Sequence, residues 1–158
     1  FHNENILVNG EPLSEFFGNL VHLFRNCIDH GLETPDKRLE SGKSEEGHID
    51  ITFKIISGAQ PHLHLIVQDD GGGISPVHIR NKLQELNPTK DFSKITDKDI
   101  VYKIFDPFFS TRDEVSTTSG RGVGMSAIKE SLDKIQGTIE IDSIVGKGTT
   151  FSFLIPLT

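Results

Sequence analysis

The stretch HLFRNCIDHG, residues 22–31, carries a polar side chain at every fourth position: His22, Asn26 and His30. A face so arranged could be built to hold something. The same spacing also describes the solvated side of an ordinary amphipathic helix, and the stretch alone leaves both readings open. Asp69 and Asp70 stand directly before Gly71-Gly72-Gly73, where aspartates are also common turn residues. Two further glycine clusters occur, Gly120-x-Gly122-x-Gly124 and Gly146-x-Gly148. Glycine reaches backbone angles closed to other residues and lets the chain approach a ligand closely. The middle cluster should open a helix, whose free amides and positive dipole end would face an anion.

Two familiar patterns fail on inspection. Gly42-Lys43-Ser44 imitates the end of a phosphate-binding P-loop, but Lys37 stands where its first glycine belongs, so the match is a coincidence. Gly122-x-Gly124-x-x-Ala127, with Asp142 further on, imitates the dinucleotide fingerprint. That fingerprint needs a hydrophobic strand before it, and the preceding segment is rich in Ser and Thr. The single cysteine excludes an internal disulfide and a multi-cysteine zinc site; Cys27 reads as a packed core thiol.

The elements that must position these residues follow from periodicity. Leu13, Phe16, Leu20, Leu23, Phe24 and Cys27 gather on one side of a helix running to about Ile28, with His22, Asn26 and His30 opposite and Gly31 as its stop. Residues 34–42 predict a short helix and a loop. Ile49, Ile51, Phe53 and Ile55 alternate with polar residues, and Leu63, Leu65 and Val67 return as the second strand of a hairpin. That strand runs into DDGGGIS, and a helix over 76–86 is entered through Ser75. Residues 87–103 predict a loop and one short helix, and 110–120 a mobile loop. Met125, Ile128, Leu132 and Ile135 mark a last helix closed by Gly137. Strands over 138–143 and 149–155 follow, joined by VGKG. Helices grouped with antiparallel strands predict an α/β two-layer sandwich: a mixed, mostly antiparallel sheet with helices on one face.

At 158 residues the chain fits one domain, and its formal charge of −7 argues against a nucleic-acid partner. No run is long enough to span a bilayer and no signal pattern is present, so a soluble domain in a reducing, cytoplasmic compartment without direct membrane insertion is expected. His2, His48, His62, His64 and His78 read as solvent-facing, and Phe108 with Phe109 as loop packing.

Taken together and in order, the boxes resemble the GHKL ATPase family of histidine kinases, type II topoisomerases and mismatch-repair ATPases, and within it the ATP-binding domain of the chemotaxis (CheA-type) histidine kinases. HLFRNCIDHGLE (22–33) resembles the N box, VQDDGGGIS (67–75) the first glycine box and IFDPFFST (104–111) the F box. SGRGVGM (119–125) resembles the second glycine box and GKGTTF (146–151) the last. The resemblance implies a Bergerat-type fold over residues 1–158, a single ATP-binding catalytic domain cut from a longer multidomain kinase.

It also implies roles. Asp69 would accept a hydrogen bond from the adenine amine, with the Thr149 hydroxyl beside it, and Gly71, Gly73 and Ile74 would lie along base and sugar. Asn26 would ligate Mg²⁺, with His22, where many members carry glutamate, as a catalytic or metal-shell group. His30 would reach the phosphates. Ser119, Gly120, Arg121, Gly122, Val123, Gly124 and Met125 would close over the triphosphate. The cofactors implied are ATP and Mg²⁺, and the reaction is transfer of the γ-phosphoryl group to a histidine on a separate phosphotransfer domain, so the isolated domain should be inactive or weakly active alone. A downstream response regulator, a coupling protein, a chemoreceptor and a homodimeric parent are the implied partners. Phe108 and Ser126 depart from the chemotaxis pattern, which usually has Gly and Asp there. A degenerate nucleotide-sensing module without phosphotransfer is the alternative; a dimer-gating ATPase is a weaker one.

Overall fold

The computed structural model describes residues 10–107, 109 and 124–157. Its chain order begins with α1 (Gly10–Asn26), which runs on through a π turn at Cys27–Gly31. There the Leu32 N–H reaches the Cys27 carbonyl, five residues back, at 2.7 Å. The expected stop at Gly31 is found, but it is reached through this wider turn rather than a left-handed glycine cap. A short α2 (Pro35–Glu40) leads to the hairpin β1 (Ile49–Ile56) and β2 (His62–Asp69). Then come α3 (Pro76–Leu86), α4 (Asp97–Tyr102), a 3-10 turn at Lys103–Phe105, α5 (Met125–Lys134), and the second hairpin β3 (Thr138–Ile144) and β4 (Gly148–Pro156). The Ser75 hydroxyl caps α3 by accepting the His78 N–H at 3.3 Å, as its position predicts.

The four strands form one sheet in the order β1-β2-β4-β3, every pairing antiparallel. Register stacks the apolar rows of all strands on one face: Phe53 opposite Leu65, Leu65 opposite Phe153, and Phe153 opposite Ile139. Phe16 of α1 stands edge-on against Phe153 at a centroid distance of 5.4 Å. Leu20, Leu23, Ile79, Leu83, Ile100, Ile128 and Leu132 join the same buried cluster, so the helices cover this one face. Fully burying each such side chain contributes about 1.5–3 kcal/mol. α1 also lies along α5, where the Asn19 amide donates to the Ala127 carbonyl at 3.2 Å.

The helices do not reach the β1 edge. Ile51, Phe53 and Ile55 alternate as expected and share the apolar face, yet Phe53 is 58% exposed, with the Phe17 ring of α1 at a centroid distance of 6.4 Å. At the opposite edge the Tyr102 hydroxyl occupies β3, donating to the Ile139 carbonyl and accepting the Ile141 N–H. Two of the histidines expected in solvent are half-buried, and each has a partner: His64 Nε2 lies 2.6 Å from the Ser152 hydroxyl, and His62 Nδ1 lies 2.9 Å from the Gln60 carbonyl. His48 and His78 are exposed as expected, whereas His2 and Phe108 lie outside the described residues.

Candidate functional site

Asp69 ends β2 opposite Thr149 of β4, and only 3% of its surface is exposed. A buried carboxylate must find donors. The Gly71 N–H supplies one to Oδ1 at 3.0 Å. Burial pushes the Asp69 carboxyl up from its ordinary value, and the N–H groups of Gly71 and Thr149 with the Cys27 thiol oppose that push without cancelling it. Cys27, buried as expected, has its thiol raised to about 12 by burial and by the neighbouring Asp69 charge, so it stays a neutral donor.

Thr149 is fixed from its other side. Its hydroxyl lies 3.0 Å from that of Ser143, which accepts the Ile74 N–H at 2.7 Å. Ser143 thus ties Thr149 to Ile74 across the sheet end, a role without any local signal in the sequence.

The glycines of the loop after Asp69 serve a tighter purpose than ligand approach. A Cβ on Gly71 would stand 2.1 Å from the Gly31 carbonyl oxygen, and one on Gly73 (φ +70°) 2.4 Å from that of Ile144. Gly148, at φ +121°, would drive a Cβ to 2.0 Å from the Asp69 carbonyl oxygen. Backbone meets backbone at these points, so glycine is required for the chain to pack at all. The loop is bolted in place by hydrogen bonds: Gly72 N–H to Gly31 O at 2.7 Å, Gly146 N–H to Gly72 O at 2.7 Å, and Asp70 N–H to His48 O at 3.2 Å.

The helix side supplies the remaining groups. His22 and Asn26 lie on the last turns of α1, both half-buried. Burial, helped by Arg25, lowers the His22 pKa and keeps its ring neutral near pH 7. His30 is exposed and sits inside the π turn, so the helical wheel that aligned it with Asn26 does not hold there. Gly31 stands between the two halves of the site. A Cβ on it would lie 3.6 Å from Asp69 Oδ2 and 3.7 Å from the Asn26 carbonyl. Asp69, Gly71, Gly73, Ile74 and Thr149 thus converge on one end of the sheet, which the turn after Asn26 meets through Gly31. Met125 is buried in the core at the first turn of α5, which opens directly after Gly124 as the glycine spacing predicts. Ser119, Gly120, Arg121, Gly122 and Val123 lie outside the described residues.

Among the described residues no three His, Cys, Asp or Glu side chains are grouped to hold a metal ion. The residues that the resemblance nominates for Mg²⁺ are Asn26 and His22. The Asn26 amide oxygen suits Mg²⁺ held chiefly by ligand phosphates and water, the usual division for this ion, whereas the His22 nitrogen is a poor donor for so hard a cation.

Behind Asp69 lies a charged cluster that no motif in the sequence announces. Arg38, 1% exposed, forks onto Asp70 at 3.1 and 2.9 Å, and reaches the Asp70 carbonyl at 3.2 Å, Glu33 at 3.3 Å and the Ser44 carbonyl at 2.8 Å. Lys43, dismissed above as part of a false P-loop, meets Glu33 and the carbonyls of Asp70 and Gly71. Burial alone would raise the Asp70 pKa, but the His48 N–H and the Arg38 guanidinium outweigh it and hold the carboxyl below its ordinary value.

A sheet covered on one face by helices, with a buried carboxylate at its end and a glycine-bolted loop facing a polar helix end, is the architecture of a histidine-kinase type ATPase domain. Residues 18–158 match the family described as histidine kinase-, DNA gyrase B-, and HSP90-like ATPase, and the chain belongs to that family. It is 37% identical to the chemotaxis protein CheA of Halobacterium salinarum, over 92% of this chain and 22% of that protein. It is 41% identical to CheA of Borreliella burgdorferi, over 88% of this chain and 16% of that protein. The solved catalytic domain of the histidine kinase ThkA superposes with a TM-score of 0.51 at 25% identity, covering 90% of this chain and 66% of that one. The chain spans about a fifth of the length of these CheA relatives.

Proposed function

We propose that this chain is the catalytic domain of a chemotaxis-type histidine kinase, binding Mg-ATP and passing its γ-phosphoryl group to a histidine on a separate phosphotransfer domain. The observation that carries the reading is Asp69: a carboxyl group buried at a strand end, its pKa raised by that burial, and backed by a rigid loop. Such a group is expensive for the fold alone and suits an acceptor waiting for the exocyclic amine of adenine. Thr149 stands opposite with its hydroxyl oriented by Ser143, and Ile74 is held by the same hydroxyl. Similarity to CheA over almost the whole chain supports the phosphotransfer half.

In this reading Asn26 gives its amide oxygen to Mg²⁺, which when bound would neutralise phosphate charge during transfer. His22, neutral by burial, accepts or orients a proton beside it, and His30 reaches toward the phosphates from the π turn. Ser119, Gly120, Arg121, Gly122, Val123 and Gly124 keep the phosphate-covering role implied by the SGRGVGM resemblance, while Met125, its side chain in the core, anchors the start of α5 beside them. The acceptor histidine, response regulator, coupling protein and chemoreceptor are assigned to other chains or domains of a homodimeric, cytoplasmic kinase.

The test uses γ-labelled ATP with and without a chemotaxis phosphotransfer domain. Acid-labile, base-stable label should appear on that domain and none on this chain. Asn26→Ala should abolish it while the fold is retained. Stable phosphohistidine on this chain itself refutes the assignment.

A further inference from the structure

The Arg38–Lys43 cluster grips the loop after Asp69 by its peptide groups as well as by charge. The three N–H donors of Lys43 Nζ meet three oxygens: Glu33 Oε1 at 2.8 Å, the Asp70 carbonyl at 2.9 Å and the Gly71 carbonyl at 2.7 Å. Arg38 adds a second donor to the Asp70 carbonyl at 3.2 Å. The peptide between Asp70 and Gly71 is therefore held by its oxygen, while its N–H is the donor that orients Asp69 Oδ1 at 3.0 Å. A peptide unit is rigid and planar, so a shift at its oxygen moves its N–H. The next peptide is clamped in the same way, its oxygen on Lys43 and its N–H on the Gly31 carbonyl at 2.7 Å. Cations on these oxygens also polarise the peptides and strengthen their N–H groups as donors.

We propose that Lys43 and Arg38 are positioning residues for the nucleotide site, setting through the Asp70–Gly71 peptide where the Asp69 carboxylate meets the amine of a 6-aminopurine. This rests on the adenine-reading role proposed for Asp69. Both cations act through the loop, from the side away from the Asp69 carboxylate, and what they confer is discrimination between a 6-amino and a 6-oxo purine.

The experiment measures dissociation constants of the 158-residue chain for Mg-ATP and for Mg-ITP, whose base carries oxygen in place of the amine. The wild-type chain should prefer ATP. Lys43→Met should lose about tenfold in ATP affinity, the scale of one charge-assisted hydrogen bond, and keep its ITP affinity within about twofold. A contribution to stability alone would lower the melting temperature and leave the ATP-to-ITP ratio of the folded protein unchanged. A wild-type ratio in folded Lys43→Met therefore overturns the positioning role while leaving adenine reading intact. Equal wild-type affinities for ATP and ITP overturn adenine reading and the positioning role together. Should circular dichroism show Lys43→Met unfolded, Lys43→Arg carries the same measurement, because a planar fork cannot converge on three oxygens as one ammonium does. Its ratio should fall between those of the wild-type chain and of Asp69→Asn, and a wild-type ratio there overturns the proposal.

Discussion

Replacing Arg38 by Met keeps a long side chain in a fully covered position and removes only the guanidinium. Five hydrogen bonds are lost, two of them the parallel fork onto Asp70. Stranding one partner of a fully buried ion pair costs about 3–5 kcal/mol. Here the stranded carboxylates are not fully buried: the Asp70 side chain is 41% exposed and Glu33 retains Lys43. Water and Lys43 can compensate part of the loss, which places the expected cost near the lower end, about 3 kcal/mol. For a domain of this size that corresponds to a drop of about 6–12 °C in melting temperature.

Urea unfolding followed by circular dichroism would read the loss as a shifted midpoint at unchanged slope. A cycle with Asp70→Asn should return an interaction energy of about 1–3 kcal/mol between the two sites. The pH dependence has a definite sign. Asp70 is held below its ordinary value, so its stabilisation is complete above that ordinary value and is lost as pH falls through the folded one. The wild-type advantage over Arg38→Met should therefore narrow on acidification. A loss under about 1 kcal/mol, or an advantage that does not change with pH, refutes the view that this cluster braces the loop.

Three further outcomes can be checked on the same chain. Asp69 is raised by burial, so its ionised form costs stability above the ordinary aspartate range; Asp69→Asn should melt higher than the wild-type chain, by more as pH rises through that range, while losing ATP affinity at least about tenfold in a titration. Gly148→Ala should destabilise by about 3 kcal/mol or more in urea, since its Cβ would strike the Asp69 carbonyl in a left-handed backbone. Gly18→Ala should do the opposite and raise the melting temperature by about 2–4 °C, because Gly18 is exposed inside α1 with nothing within 4 Å of an added Cβ.

Much of the architecture is legible in periodicity. A period of 3.6 residues from Leu13 onward marks α1, and alternation of apolar residues marks the strands, because an element with two unlike faces records them in its own sequence, even where, as in β1, the apolar face stays exposed. The Ser75 cap and the opening of α5 after Gly124 are equally local, since a cap acts within one helical turn. The ordered boxes carry the family, and Asn26, Asp69 and Thr149 are nameable from them.

What periodicity cannot carry is any contact made across the fold. The π turn that displaces His30 from the Asn26 face is set where α1 meets the loop after Asp69, through Gly31. Phe53 reads as core in its strand and is exposed because β1 is an edge that the helices do not cover. Arg38 and Lys43 look like the solvated charges of a short helix and its loop. Their partners lie 32 and 27 residues away in the loop after Asp69, and only tertiary folding makes that loop a place where cations are buried. Gly71, Gly73 and Gly148 announce themselves as glycines, but that each is pressed against another segment's carbonyl is a property of packed backbone and of no single stretch. Local sequence encodes which face each element hides; the meeting of those faces decides which carboxylate is buried, which peptide orients it, and which charges hold that peptide in place.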